Sequence, residues 1–422
     1  MEARAIERAG RRASPLITRA ALRIGGALGL ALLIAAALGL ALHADTSPSV
    51  VSAVAAMPPS LLLAGGSLQS SATEGLVASR LPDGRQVGQV DIGGPSQGDA
   101  LAAAPNGRHA YLVDATWLTD QQRKEWRLTE LELPSLRVLH RAAILDGIDL
   151  LGEARIAAVA HDGAEVYVET MRIVGPQRFD PQLRVGQPDS EYGIAVYDVP
   201  QRAFTRTIRL DPPWCGVGEL DALPDGRLAV LCPVSHQLRL VDPRVGRTVG
   251  RVPVTGDFGA SSVDGQRQWI VSRAGQLQEM DLTRGAVVRT VDVSGPGGCG
   301  GCVPWQRPTV SADGRRLFVR AAPGRLYLVG TLFGTVVWVI DTASLQRVAE
   351  LPLPAAAIDQ APTPDGAAVL ASTGTTDASG EQATWLLSVP DGQVLARWPQ
   401  GLCCLHLVPS PAAAADARGA AR

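Results

Sequence analysis

Six cysteines, four regularly placed acids and two tryptophans are the residues whose types and spacing point to chemistry. Cys299-Gly-Gly-Cys302 is a C-x-x-C pair. Such a pair holds a metal, cycles between thiol and disulfide when a thiolate is stabilised, or forms a structural bridge. No His follows Cys302, so the covalent haem motif is absent, and no βαβ pattern surrounds the pair as in thioredoxin-like proteins. A structural disulfide is therefore expected, within the pair or with Cys403 and Cys404. Cys215 and Cys232 flank the Pro224-Asp225-Gly226 turn almost symmetrically, which sets them opposed, or nearly so, in one hairpin as a second disulfide.

Asp99, Glu219, Asp257 and Asp359 each stand six or seven residues before an Asp or Asn that opens a turn. Acids repeated at one position of a repeat line one ring, where they attract a divalent cation or a basic ligand, or stay solvated around a water-filled channel. Trp214 and Trp305 lie near Cys215 and Cys302 in similar contexts, PPWCG and CVPWQ, as stacking platforms or packing aromatics. The histidines show no H-x-x-x-H or HExxH spacing, and there is no G-x-S-x-G elbow, P-loop or dinucleotide fingerprint. No catalytic residue is assigned. No cofactor is expected beyond a divalent cation in the central channel.

Two alternating sequence units position these residues. The first is strand, Asp-Gly or Asn-Gly turn, strand; its turn glycines are Gly107, Gly163, Gly226, Gly265, Gly314 and Gly366. Such pairs supply the positive φ that a tight hairpin needs. The second is a hairpin of V-x-x-V-x-V character, found seven times, at 75–92, 128–144, 194–210, 238–254, 277–293, 336–353 and 384–399. Together they make four-stranded blades, with strands A and B inside and C and D outside. Seven outer hairpins against six inner ones leave one inner hairpin to be made from the two ends, 402–410 pairing with 60–66. The expectation is an all-β, seven-bladed β-propeller with shared-blade closure over 60–411.

The segments SADGRRLFV (311–319), GTVVWVIDTASLQRVAELPL (334–353) and PNGRHAYLV (105–113) resemble the repeats of bacterial YVTN-type propellers, relatives of lactonase-like and amine-dehydrogenase-like folds. The Tyr-Val-Thr-Asn string is absent; Tyr111-Leu112-Val113-Asp114 is nearest. The resemblance implies blade geometry and is silent on catalysis.

Long connections between strands B and C, at 115–126, 171–192, 321–334 and 372–382, fall on one face and are expected to be loops that bind a protein or small ligand. Before the propeller, Ile24–Leu42 is uncharged and apolar, about 28 Å as a helix and so long enough to span a bilayer. Six arginines precede it and Asp45 is the first charge after it, so residues 1–23 are expected in the cytoplasm and the propeller outside the cell membrane, after a 43–59 linker. Secretion after cleavage is the alternative, weakened by Leu42 standing where a small residue belongs. The tail 412–422 is expected to be disordered. With 39 Lys+Arg against 41 Asp+Glu, nothing favours a nucleic-acid partner. The composite expectation is a membrane-anchored extracytoplasmic binding or scaffold module. The alternative is a lactonase-like or quinoprotein-like enzyme with its site in the funnel.

Overall fold

Period-2 alternation and tight turns build strands throughout the computed structural model. It describes residues 60–409 apart from 68–73, 82–84, 92–100, 119–122, 145–156, 181–184, 212–214, 295–301, 305–306, 324–333, 358, 373–382 and 399–402. The apolar stretch 24–42 lies outside the described residues, among which no helix is long and apolar enough to cross a membrane.

Blade 1 contains β1 (Ser60–Ser67), β2 (Glu74–Leu81) and β3 (Gln86–Asp91). Blade 2 is β4 (Leu101–Ala103), β5 (His109–Leu118), β6 (Arg123–Glu132) and β7 (Arg137–Ala143). Blade 3 is β8 (Ala157–Val159), β9 (Glu165–Asp180), β10 (Val185–Asp198) and β11 (Ala203–Arg209). Blade 4 is β12 (Glu219–Ala222), β13 (Leu228–Cys232), β14 (Gln237–Asp242) and β15 (Arg247–Pro253). Blade 5 is β16 (Phe258–Ser261), β17 (Arg267–Val271), β18 (Gln276–Asp281) and β19 (Ala286–Asp292). Blade 6 has a divided inner strand, β20 (Cys302–Pro304) and β21 (Thr309–Val310), then β22 (Arg316–Pro323), β23 (Gly334–Asp341) and β24 (Arg347–Ala357). Blade 7 is β25 (Asp359–Pro362), β26 (Ala368–Ser372), β27 (Thr384–Ser388) and β28 (Val394–Trp398). The last strand, β29 (Cys403–Pro409), returns to pair with β1, giving the order β29-β1-β2-β3. Ser60 opposes Pro409 and Leu62 opposes Leu407, so the ring closes through the two ends of the sequence as expected.

The six inner turns share one chemistry. Asn106, Asp162, Asp225, Asp264, Asp313 and Asp365 each accept the backbone N–H two residues on, at 2.8–3.0 Å. The glycine between adopts positive φ in every case, from 62° at Gly265 to 85° at Gly226. At Gly265 a Cβ would also lie 2.1 Å from Pro224 Cδ, so this turn admits only glycine.

Apolar clusters fill the six interfaces from blades 1–2 through blades 6–7. Trp269 and Trp338, 2% and 1% exposed, join blades 5 and 6. Between blades 7 and 1 a polar contact contributes: the Leu405 N–H donates to Asp359 Oδ2 at 2.5 Å.

Every outermost strand carries a β-bulge near its start. The residues left without a partner are Val87, Leu139, Thr205, Val249, Val288, Val348 and Leu395. A bulge twists an open edge away from a flat pairing surface, which protects seven exposed edges from joining other chains.

Two of the expected loops are strands. Residues 115–126 continue the β5–β6 ladder out to Leu118 opposite Arg123. Residues 171–192 continue β9–β10 out to Asp180 opposite Val185, interrupted by a register shift near Pro188. Blades 2 and 3 therefore carry paired β-arms where loops were expected. The pairing follows from antiparallel ladders that run on beyond the sheet, continuously in blade 2 and with one register shift in blade 3.

Candidate functional site

Glu219 and Asp221 lie two apart on β12, so both side chains leave the same face of the strand. Between them Leu220 packs into the blade 3–4 core. The two acids accordingly face blade 5, where Asp221 Oδ2 accepts from Ser261 Oγ at 2.7 Å and from Gln268 Nε2 at 3.3 Å. Arg307 reaches them from blade 6. Its guanidinium pairs with Glu219 and lies 3.8 Å from Asp221. Glu219 is fully buried, whereas the Arg307 side chain is about half exposed, at 52%.

The divided inner strand of blade 6 places that arginine. Pro304 opposes Ala321, yet Thr309 opposes Phe318, so four residues on the inner side face two on β22. The surplus lifts Arg307 off the ladder. One polar network thus links the inner strands of blades 4, 5 and 6. Its chemistry is that of a carboxylate pair held by one guanidinium, with a hydroxyl and an amide ordering the second acid.

The other acids of the expected ring have separate engagements. Asp257, just before β16, accepts the Arg273 N–H at 3.2 Å and lies 3.9 Å from its side-chain nitrogen. Asp359 opens β25, accepting the Gln360 N–H at 2.7 Å as well as that of Leu405. Asp99, Trp214, Trp305 and Cys299 lie outside the described residues, and of Cys302, Cys403 and Cys404 only the backbone is described. Among the described residues no three His, Cys, Asp or Glu are grouped so as to hold a metal ion. Cys215 and Cys232 form a disulfide, both buried at the rim of blade 4. Asp221 and Arg307 were not singled out in the sequence. The Glu-x-Asp alternation was visible; the surplus that presents Arg307 was not.

Arg307→Gln leaves Glu219 buried without its guanidinium and is expected to cost about 2–3 kcal/mol. Arg273→Gln, at the more exposed Asp257 pair, is expected to cost under about 1 kcal/mol. Urea unfolding of both variants checks the difference, and equal costs would show that the funnel pair holds nothing in place.

No family model matches the chain, and no curated protein does. Solved structures share its fold. The Pseudomonas aeruginosa periplasmic gluconolactonase superposes with a TM-score of 0.58 at 18% identity, over 83% of this chain and 99% of that one. The Kuenenia stuttgartiensis hydrazine synthase gives 0.50 at 14% identity, over 73% and 88%. A dihydro-haem d1 dehydrogenase, solved in complex with DHE, gives 0.47 at 16% identity over 81% of this chain, which spans 63% of that protein's length. At such identities fold is what is shared. With seven sheets in a ring, six of four strands and one whose inner strand is divided in two, and with closure by pairing of β29 with β1, the chain is a seven-bladed β-propeller of the architecture found in the periplasmic gluconolactonase.

Proposed function

We propose that this protein is a membrane-anchored, extracytoplasmic binding module that recognises a partner through the β-arms of blades 2 and 3. The arms carry this reading. β9 and β10 run 16 and 14 residues, against five for β13, β17 and β26. From Met171 to Asp180, β9 extends about 30 Å along the arm. Among the described residues, β9 pairs outside β10 only over Val166–Val168, and β10 pairs outside β9 only over Gly193–Asp198. The arm therefore offers two open strand edges, the kind of surface on which an extended segment of another protein adds by main-chain hydrogen bonds.

The two ends of the propeller favour the same reading. Ser60 and Pro409 stand together at the face carrying the inner turns, opposite the arms. The apolar stretch 24–42, its arginine-rich flank and the 215–232 disulfide support an anchored protein in an oxidising compartment.

The test uses the full chain, purified in detergent, beside a variant in which Arg172–Glu191 is replaced by Asn-Gly. Met171 opposes Tyr192, so a two-residue turn closes the shortened hairpin. The variant is expected to keep its melting temperature and to lose the partners that the parent crosslinks in intact membranes. Retention of the same partners, or turnover of a lactone panel by a chain that captures none, would overturn the proposal in favour of an enzyme using the funnel.

A further inference from the structure

On the turn face, opposite the arms, a cleft of about 570 Å³ separates blades 3 and 4. That is the size range of small-ligand sites, larger than a single amino acid requires. Its lining includes buried Tyr167 and Leu223 together with Pro243. Burial, then the hydrogen bond to Glu165, raises the Tyr167 pKa, so the hydroxyl stays a donor, 2.7 Å from Glu165 Oε2. Arg206 bridges two of the lining residues, reaching Glu165 at 2.9 Å and the Pro243 carbonyl at 3.4 Å. That wall is fixed and its charges are matched.

The remaining charges are not matched across the gap. Asp162 and Asp198 line the blade 3 side. Asp162 accepts the Ala164 N–H, and Asp198 accepts from the Gln201 backbone and side chain. Neither has a cationic partner among the described residues. On the blade 4 side, Arg227 is clasped by Asp225 at 2.6 Å and donates to the Leu282 carbonyl. Arg244 is the more exposed cation: its side chain is 77% exposed, pairs with Asp242 at 3.5 Å and has Asp225 within electrostatic reach. The cleft thus presents two carboxylates on one wall, an exposed and loosely paired guanidinium on the other and apolar surface between them.

We propose that this cleft binds a short peptide by both of its ends, the ammonium on the Asp162 and Asp198 wall and the carboxylate on Arg244. The ordering of charge is what a zwitterion needs: opposite signs on facing walls, held apart by the blades rather than collapsed onto each other. Charge-assisted hydrogen bonds to each terminus supply orientation, and the proline and tyrosine surface accepts the backbone between. This proposal is independent of what the arms bind.

The test is calorimetric titration of the full chain in detergent with tri-alanine, N-acetyl-tri-alanine and tri-alanine amide. Tri-alanine is expected to bind, and blocking either end to weaken it about tenfold, the effect of one charge-assisted hydrogen bond. Arg244→Gln should remove the discrimination between acid and amide while keeping that between amine and acetyl. Asp162→Asn should do the reverse. Both are exposed turn positions, and Asn106 already fills the equivalent place in blade 2, so thermal melting is expected to show intact folds. No heat up to about 10 mM peptide, equal binding of the blocked peptides, or variants that fail to separate the two ends would overturn the proposal.

Discussion

Deleting Leu402–Pro411 is expected to abolish the cooperative unfolding transition of the propeller. The deletion removes β29, which is the innermost strand of blade 1 although it comes from the far end of the sequence. Three losses coincide. The ladder from Ser60 opposite Pro409 to Gly65 opposite Cys403 disappears, leaving the inner edge of β1 open. Val408, 2% exposed in the blade 1–2 core, and Leu405, 8% exposed, take their apolar surface with them. Asp359 loses the Leu405 N–H that joins blade 7 to blade 1. Each buried side chain contributes about 1.5–3 kcal/mol, so two of them and a strand of hydrogen bonds rival the whole stability of a domain. Circular dichroism melts and light scattering should show aggregation without a sharp transition. Deleting Ala412–Arg422 is expected to change stability by less than about 1 kcal/mol. A first deletion that melts like the parent would mean that closure is not made by these strands.

The second large effect concerns Cys215 and Cys232. Replacing both with Ser is expected to cost about 3 kcal/mol, the loop-closure entropy of a 17-residue separation. Burial adds to the loss, because Cys215 is 1% exposed, Cys232 is fully buried and both belong to the blade 3–4 core. Two hydroxyls in that apolar setting lack the water they would otherwise bind. Urea unfolding with and without reductant separates the contributions: reduction of the parent should reproduce the cross-link part, and the Ser variant should fall lower still. A parent indifferent to reductant would show that the bridge contributes nothing to stability.

Local chemistry accounts for what could be read directly from the sequence. The turn glycines at 107, 163, 226, 265, 314 and 366 adopt positive φ because Asx-Gly pairs specify that geometry over a few residues. Alternation with period 2 reports a strand within its own length, and counting hairpins left one to be supplied by the two ends. Near-symmetry about Pro224-Asp225-Gly226 was enough to pair Cys215 with Cys232, although Cys215 stands before β12 rather than within its ladder. Tertiary structure decided the rest. The arms at 171–192 read as loops because nothing local distinguishes a connection from a ladder whose only partner is itself. The bulges at Val249, Val288 and Val348 arise where a strand must leave register with its neighbour, and their valines read as ordinary strand residues. Asp359, repeated with Asp257 in sequence, is taken up by a backbone N–H 46 residues away, and Arg307 meets Glu219 across a whole blade. A repeat states which residue occupies each equivalent position; which neighbour that residue meets depends on the closure of the ring, because the contacts that use up a charge lie between blades.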